Sequence, residues 1–265
     1  MTVERLVERW GLQAEAGAIH TSTSTIQFVR RGTTPCVLKI PRDGADEATV
    51  AALSHFGGRG AVALLAHDGP AVLMQRAVPG TPLSDLVIAG RDDEATRVLC
   101  RTMTALHAGG AAPQGFRCVE DWGAAFGRPA ASELPVGLVD TASRLYAELC
   151  ASQGSRVVLH GDLHHDNVLF DDRLGWCAID PKGIIGEPEF EIGAALRNPH
   201  DPRYFAAPGI IDRRVRIVCE TLGWNRDRVL RWCFAQAVLS AIWSIEDDNE
   251  PVPWLAVATS TLAMI

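Results

Sequence analysis

The chain lacks a cysteine framework: its seven cysteines (Cys36, Cys100, Cys118, Cys150, Cys177, Cys219 and Cys233) are odd in number, scattered, and form no C-x-x-C pair. That excludes a disulfide scaffold and a zinc ribbon, and it predicts reduced thiols in a cytoplasmic protein. Long apolar runs are also missing. None approaches the ~18 residues that a membrane span requires, and the opening "MTVERLVERWGL" alternates acids and arginines with apolar residues. It reads as an amphipathic helix of a soluble protein, not as a signal peptide. A basic excess is lacking as well, since 25 Lys plus Arg stand against 32 Asp plus Glu, a net charge of −7. Such a balance argues against a nucleic-acid partner, whose phosphates would be repelled, and favours a cationic ligand. Internal repeats and low-complexity tracts are absent. What is present, 47% hydrophobic and 22% charged residues in 265, is an ordinary globular composition, long enough for one large domain or two lobes.

The pattern along the chain changes once. "STIQFVRR" (24–31) and "PCVLKIP" (35–41), joined by "RGTT", predict a β-hairpin; "DEATVAALSHF" predicts a short helix ended by Gly57, Gly58 and Gly60. "AVALLAH" and "AVLMQ", separated by "DGP", predict a second antiparallel pair. At "RAVPGTPL" (76–83) prolines and a glycine break the pattern, and the periodicity becomes helical. Ala95, Leu99, Met103 and Leu106 share one stripe; Leu138, Ala142, Leu145 and Leu149 form a second; Leu230, Phe234, Val238 and Ile242 form a third. The segment 113–135 between the first two reads as a long Gly/Pro-rich connection. The expectation is therefore an α+β chain: a small sheet lobe at 1–78, a hinge, and a larger helical lobe at 79–265.

Inside the helical part, "LHGDLHHDNVLF" (159–170) sets two aspartates, three histidines and an asparagine between apolar runs, and "WCAID" follows at 176–180. These are short β-prone runs with polar residues at their ends, so they predict a loop and hairpin. Asp162 and Asn167 flank the loop and Asp180 closes the hairpin. Two acids and an amide converging at strand ends make a hard oxygen site suited to Mg2+. D-x-x-x-x-N followed by a strand-end Asp also matches the catalytic loop and metal-binding Asp of kinases. Asp162 fits the group that orients and deprotonates an attacking hydroxyl; Asn167 and Asp180 fit the metal ligands. A kinase further needs a lysine on the third strand of the small lobe and an acid on the next helix. Lys39 supplies the first and Glu47 the second, with Asp46 as its neighbour and rival.

With its order Lys39, Asp162, Asn167, Asp180 and its wording "HGDLHHDN…AIDPKG…GEPEFEIGAALRNP", the chain resembles the aminoglycoside/hydroxyurea kinase family. The resemblance runs from about Thr21 to Asp248 and is strongest at 159–199. It implies a protein-kinase-like bilobal fold, ATP as phosphoryl donor, Mg2+ as counterion, and a small-molecule hydroxyl as acceptor, of the streptomycin type. It also implies that Asp162 is the base, that Asn167 and Asp180 bind the metal, and that Lys39 binds the α/β-phosphates. Ser22, Thr23, Ser24 and Thr25 would stand where protein kinases have G-x-G-x-x-G, which this sequence lacks. Adenine would bond backbone near Gln75 to Ala77 with Met74 packed behind. His-Gly-Asp replaces His-Arg-Asp, Asp-Pro-Lys replaces Asp-Phe-Gly, and no Ala-Pro-Glu follows. Control through a phosphorylated activation loop is therefore not expected.

A cationic acceptor would favour carboxylates and an aromatic face. Candidates are Glu187, with Glu189 and Glu191 in "GEPEFE"; Asp201; and Trp243 with Glu246 and Asp247. Equally, helix-end acids are often solvated surface and tryptophans core. Other readings stay open: a kinase of another small hydroxyl compound such as hydroxyurea, an amino alcohol or a sugar; a nucleotide-binding pseudokinase; or a zinc hydrolase using His160, Asp162, His164, His165 and Asp166.

Overall fold

The computed structural model describes residues 2–42, 47–110, 113–199, 201–205, 207 and 209–265. Helix α1 (Val3–Arg9) leads into a five-stranded antiparallel sheet of β1 (Gln13–His20), β2 (Ser24–Arg31), β3 (Thr34–Pro41), β4 (Leu64–Asp68) and β5 (Ala71–Gln75), in the order β1-β2-β3-β5-β4. Side chains alternate across a strand, so the sheet has two faces with two tasks. Cys36 and Leu38 of β3, with Ala71 and Leu73 of β5, turn toward α1 and bury against Leu6 and Leu12. Val72 and Met74 of β5 turn the other way, into the main core beside Val50, Leu53 and Phe56 of α2 (Ala48–Phe56). Lys39, paired with Val72 across the ladder, shares that second face. Gly57 ends α2 in the left-handed region, its N–H bonded to the Leu53 carbonyl at 3.0 Å, as the glycine run predicts.

Both hairpins read from the sequence are present, but β1 is an addition. Its exposed, alanine-containing residues carry little strand signal, and pairing with β2 makes it an edge. The break at 76–83 holds another addition, β6 (Pro79–Pro82), whose prolines sit at its two ends. The chain then runs through α3 (Ser84–Ile88) and α4 (Asp92–His107). The 113–135 stretch is not a bare connection: it contains β7 (Arg117–Cys118), α5 (Val119–Trp122) and two 3-10 turns, Gly123–Gly127 and Pro129–Glu133. Helix α6 (Val136–Ala151) buries Val139, not Leu138, with Ala142, Leu145 and Leu149.

Strands β8 (Val157–Leu159), β9 (Val168–Asp171) and β10 (Gly175–Ala178) are the three β-prone runs of the central motif. β9 and β10 form the expected hairpin, and β6 extends it. β11 (Ile184–Gly186) pairs with β8 and with β7. Helices α7 (Ile192–Leu196), α8 (Ile210–Leu222), α9 (Arg226–Glu246) and α10 (Val252–Leu262) complete the chain. From Trp232 to Ile242 every residue of α9 is buried, so it is the central helix around which the others pack. Among the described residues no helix is long and apolar enough to cross a membrane.

Candidate active site

A cleft of about 650 Å³ separates the sheet from the helical region. Thr23, Ser24, Lys39, Ala48, Thr49 and Val72 line it from one side; Asp162, Asp180, Lys182, Arg197, Trp243 and Asp247 line it from the other. Lys39, Arg117, Lys182 and Arg197 oppose Asp162, Asp180 and Asp247 among its lining residues, so the cleft holds more cations than acids. That inverts the sign of a chain whose net charge is −7 and suits a polyanion.

Lys39 and Asp180 lie 141 residues apart and form an ion pair and hydrogen bond between Nζ and Oδ1 across the cleft. Burial pushes the Asp180 carboxyl up, but the charge and hydrogen bond of Lys39, helped by Lys182, outweigh it and hold the group below the ordinary range. Asp180 sits in the left-handed backbone region at φ 60°, which aspartate tolerates better than most side chains. The turn behind it is anchored to α2. Thr49 Oγ1 donates to the Pro181 carbonyl at 2.9 Å, and a β-carbon on Gly183 would lie 2.7 Å from the Ala48 carbonyl oxygen. Only glycine lets the helix approach that closely.

The catalytic-loop candidate is fixed from beneath. His160 is fully buried; its Nε2 bonds the Ile179 carbonyl at 2.8 Å and its Nδ1 accepts the Asp162 amide N–H at 3.2 Å. A carbonyl only accepts and an amide N–H only donates, so the ring is the neutral Nε2–H tautomer. Buried Glu191 accepts from the His160 and Gly161 amides at 2.6 and 2.8 Å, with His107 Nε2 at 3.4 Å. Asn167 Nδ2 donates to the Asp162 carbonyl at 2.9 Å. The backbone around Asp162 is thus held at both ends, whereas neither of its carboxylate oxygens accepts a hydrogen bond among the described residues. Burial lowers the pKa of His164 and, further, of His165, whose two ring nitrogens are buried without partners among the described residues.

Asn167 and Asp180 fit a divalent cation by their chemistry. Lys39 takes Oδ1 of Asp180, and the Asn167 amide spends its N–H on the loop, which leaves an oxygen of each for a hard ion. Zinc fits less well, because both nitrogens of His160 are spent inside the loop. No group of three or more His, Cys, Asp or Glu among the described residues is arranged to hold a metal ion.

Of the sequence-predicted residues, Thr23, Ser24, Lys39, Asp162, Asp180, Trp243 and Asp247 line the cleft. Ser22 is exposed, and Thr25 bonds His20; neither lines it. Met74, Gln75 and Ala77 lie along the end of β5 and just beyond it, outside the lining. Glu47 is the exposed N-cap residue of α2, and Lys39 is paired with Asp180, not with Glu47. Asp46 lies outside the described residues.

Three acceptor candidates are engaged elsewhere. Glu187 is buried and takes Arg228 through two bonds of 2.6 and 2.8 Å and the Trp232 indole N–H, away from the cleft lining. Asp201 pairs with Arg203 and Glu246 with Arg128. Glu191 holds the loop instead of a ligand. Residues not foreseen are Arg117, Trp122, Thr49 and Arg197. Trp122 meets Trp243 edge-on, ring centroids 5.4 Å apart at 90°, and the pair makes an aromatic wall near Asp247. Its signal lay in "VEDWGAAF", inside the stretch read as connection.

A cation-rich cleft between an antiparallel sheet and a helical region, with a lysine from one paired to an aspartate from the other, defines the class of kinase-like phosphotransferases. Residues 9–248 match the family described as aminoglycoside/hydroxyurea antibiotic resistance kinase, and the chain belongs to that family of small-molecule phosphotransferases acting on hydroxyl groups. It is 36% identical over 264 residues to a streptomycin 3''-kinase of Klebsiella pneumoniae, covering 97% of this chain and 98% of that one. A hydroxyurea phosphotransferase of Kitasatospora aureofaciens is 33% identical over 274 residues, covering 99% of this chain and 78% of that one. In fold, the chain is similar to a thermostable mutant of aminoglycoside phosphotransferase APH(4)-Ia in ternary complex with ADP and hygromycin B. The TM-score is 0.68 at 15% identity, with 98% of each chain covered.

Proposed function

We propose that this enzyme transfers the γ-phosphate of ATP to a hydroxyl of a streptomycin-type aminoglycoside, with Mg2+ as counterion. The observation that carries the reading is the Lys39–Asp180 ion pair standing in one cleft with Asp162. Lys39 is placed to bind phosphate oxygens, and Asp162 to orient the acceptor hydroxyl and take its proton. Asn167 and Asp180 would hold Mg2+, which when bound supplies positive charge to the β- and γ-phosphate oxygens. Thr23 and Ser24, in a turn tied by Thr21 Oγ1 to the Ser24 N–H at 2.9 Å, offer hydroxyls and amides over the phosphates. Met74 to Ala77 are assigned to adenine, and the two lobes are divided after residue 78. Seven free cysteines and the need for ATP fit a cytoplasmic enzyme.

The acceptor is assigned to the wall of Trp122, Trp243 and Asp247, where an aromatic face and a carboxylate suit a cationic aminocyclitol or guanidino group. A relative of 36% identity named as a streptomycin kinase supports that assignment. The test is product mass after incubation with ATP and Mg2+ against a panel of streptomycin, other aminoglycosides, hydroxyurea, an amino alcohol and a sugar. Phosphorylated streptomycin is the expected product. Turnover of hydroxyurea alone would overturn the acceptor assignment, and nucleotide binding with no product from any acceptor would make the chain a pseudokinase.

A further inference from the structure

Two arginines are nearly sequestered from solvent, and they are satisfied differently. Arg214, 1% exposed, spends its donors inside the fold: it binds both oxygens of Asp92 and the carbonyls of Ala195, Asn198 and Tyr204. Arg197, 9% exposed, follows α7 in "IGAALRNP", where a single charge interrupts an apolar run. Its Nη1 is buried with no hydrogen-bond partner among the described residues, and it lines the cleft with Asp162. A guanidinium presents five N–H donors and stays charged, so burying one unsatisfied is destabilising unless a partner arrives. Burial works against its charge, and the Asp162 carboxylate works for it, although no ion pair joins the two.

Asp162 shows the complementary deficit. Its peptide is tied by the His160 ring and the Asn167 amide, while its carboxylate oxygens are untethered. We propose that Arg197 is the positioning residue of Asp162: in the substrate-loaded cleft its free N–H donors hold the carboxylate toward the acceptor hydroxyl. The inference rests on Asp162 being the base. A planar fork can fix both carboxylate oxygens at once, which a lysine ammonium cannot.

The experiment compares wild type, Arg197→Met, Arg197→Lys and Arg197→Ala for kcat, both KM values and melting temperature, with guanidinium ion added to the Ala variant. Arg197→Met is expected to lower kcat about 10²-fold, as misplacement of a reacting group does, with each KM within about threefold of wild type. Its melting temperature should hold or rise, because an unpaired buried charge is exchanged for an apolar chain. Millimolar guanidinium should restore at least about tenfold in kcat to Arg197→Ala, and Arg197→Lys should remain about tenfold below wild type with unchanged KM values. If the Met variant does not fold, Arg197→Lys carries the same test.

Undiminished kcat in Arg197→Met, a loss confined to KM, or a loss that tracks a lowered melting temperature without guanidinium rescue would each overturn the assignment. A wild type that phosphorylates no acceptor of the panel would remove the functional reading and this inference together. An active wild type beside an equally active Arg197→Met would remove the inference alone.

Discussion

The two ends of the cleft are built differently. At the end assigned to phosphate the frame is tied to the fold: Asp180 to Lys39, its turn to α2 through Thr49, and the Asp162 backbone loop to buried Glu191 through two amides. At the end assigned to the acceptor the wall is an edge-on tryptophan pair and Asp247, at the C-terminal end of α9, with neighbouring Glu246 drawn off by Arg128. Backbone hydrogen bonds within a buried frame fix geometry, whereas a few side chains at a helix end can change without disturbing it. Phosphoryl transfer needs the first property, and choice of acceptor is served by the second.

That contrast is open to attack by mutation. Asp162→Ala should cost most, about 10³-fold in kcat for every acceptor, because the group proposed to accept the proton is gone; steady-state rates across the panel check it. Lys39→Met should lower kcat/KM for ATP about 10²-fold, again independently of acceptor. It removes the cation assigned to the phosphates and leaves Asp180 without its partner. Glu191→Ala should reduce unfolding free energy by about 2–3 kcal/mol, since the buried His160 amide and the half-buried Gly161 amide lose a charged acceptor, and chemical denaturation with an activity assay would read both losses together. Smallest is Asp247→Asn, expected to raise the acceptor KM about threefold with ATP kinetics unchanged, the scale of one exposed charge contact. An Asp247→Asn variant whose ATP kinetics fell as far as its acceptor kinetics would erase the distinction between the two ends.

Legibility followed the same division. The motif 159–180 carried the hairpin and the loop, and the cleft contains its Asp162 and Asp180, because short polar loops between β-prone runs leave a local pattern. Lys39 was readable from its place in "VLKIP", and its alternation with Leu38 places it on the face opposite α1. What escaped depended on partners distant in sequence. Glu187 looked like an acceptor acid until Arg228, 41 residues on, turned out to consume it. Glu191 looked the same, yet its partners are amides 30 and 31 residues earlier. Strand β1 escaped because an exposed edge strand needs no apolar alternation, and β6 because its prolines read as punctuation.

Lys39 and Asp180 are proposed to meet around a metal-bound triphosphate. Calorimetric ATP affinity, measured with Mg2+ and with a chelator in wild type, Asp180→Asn and Lys39→Met, tests it most directly. The expected result is that Mg2+ tightens ATP binding in wild type, that this gain disappears in Asp180→Asn, and that Lys39→Met binds ATP more weakly in both conditions. Wild-type affinity indifferent to Mg2+, or a full Mg2+ gain retained by Asp180→Asn, would contradict it.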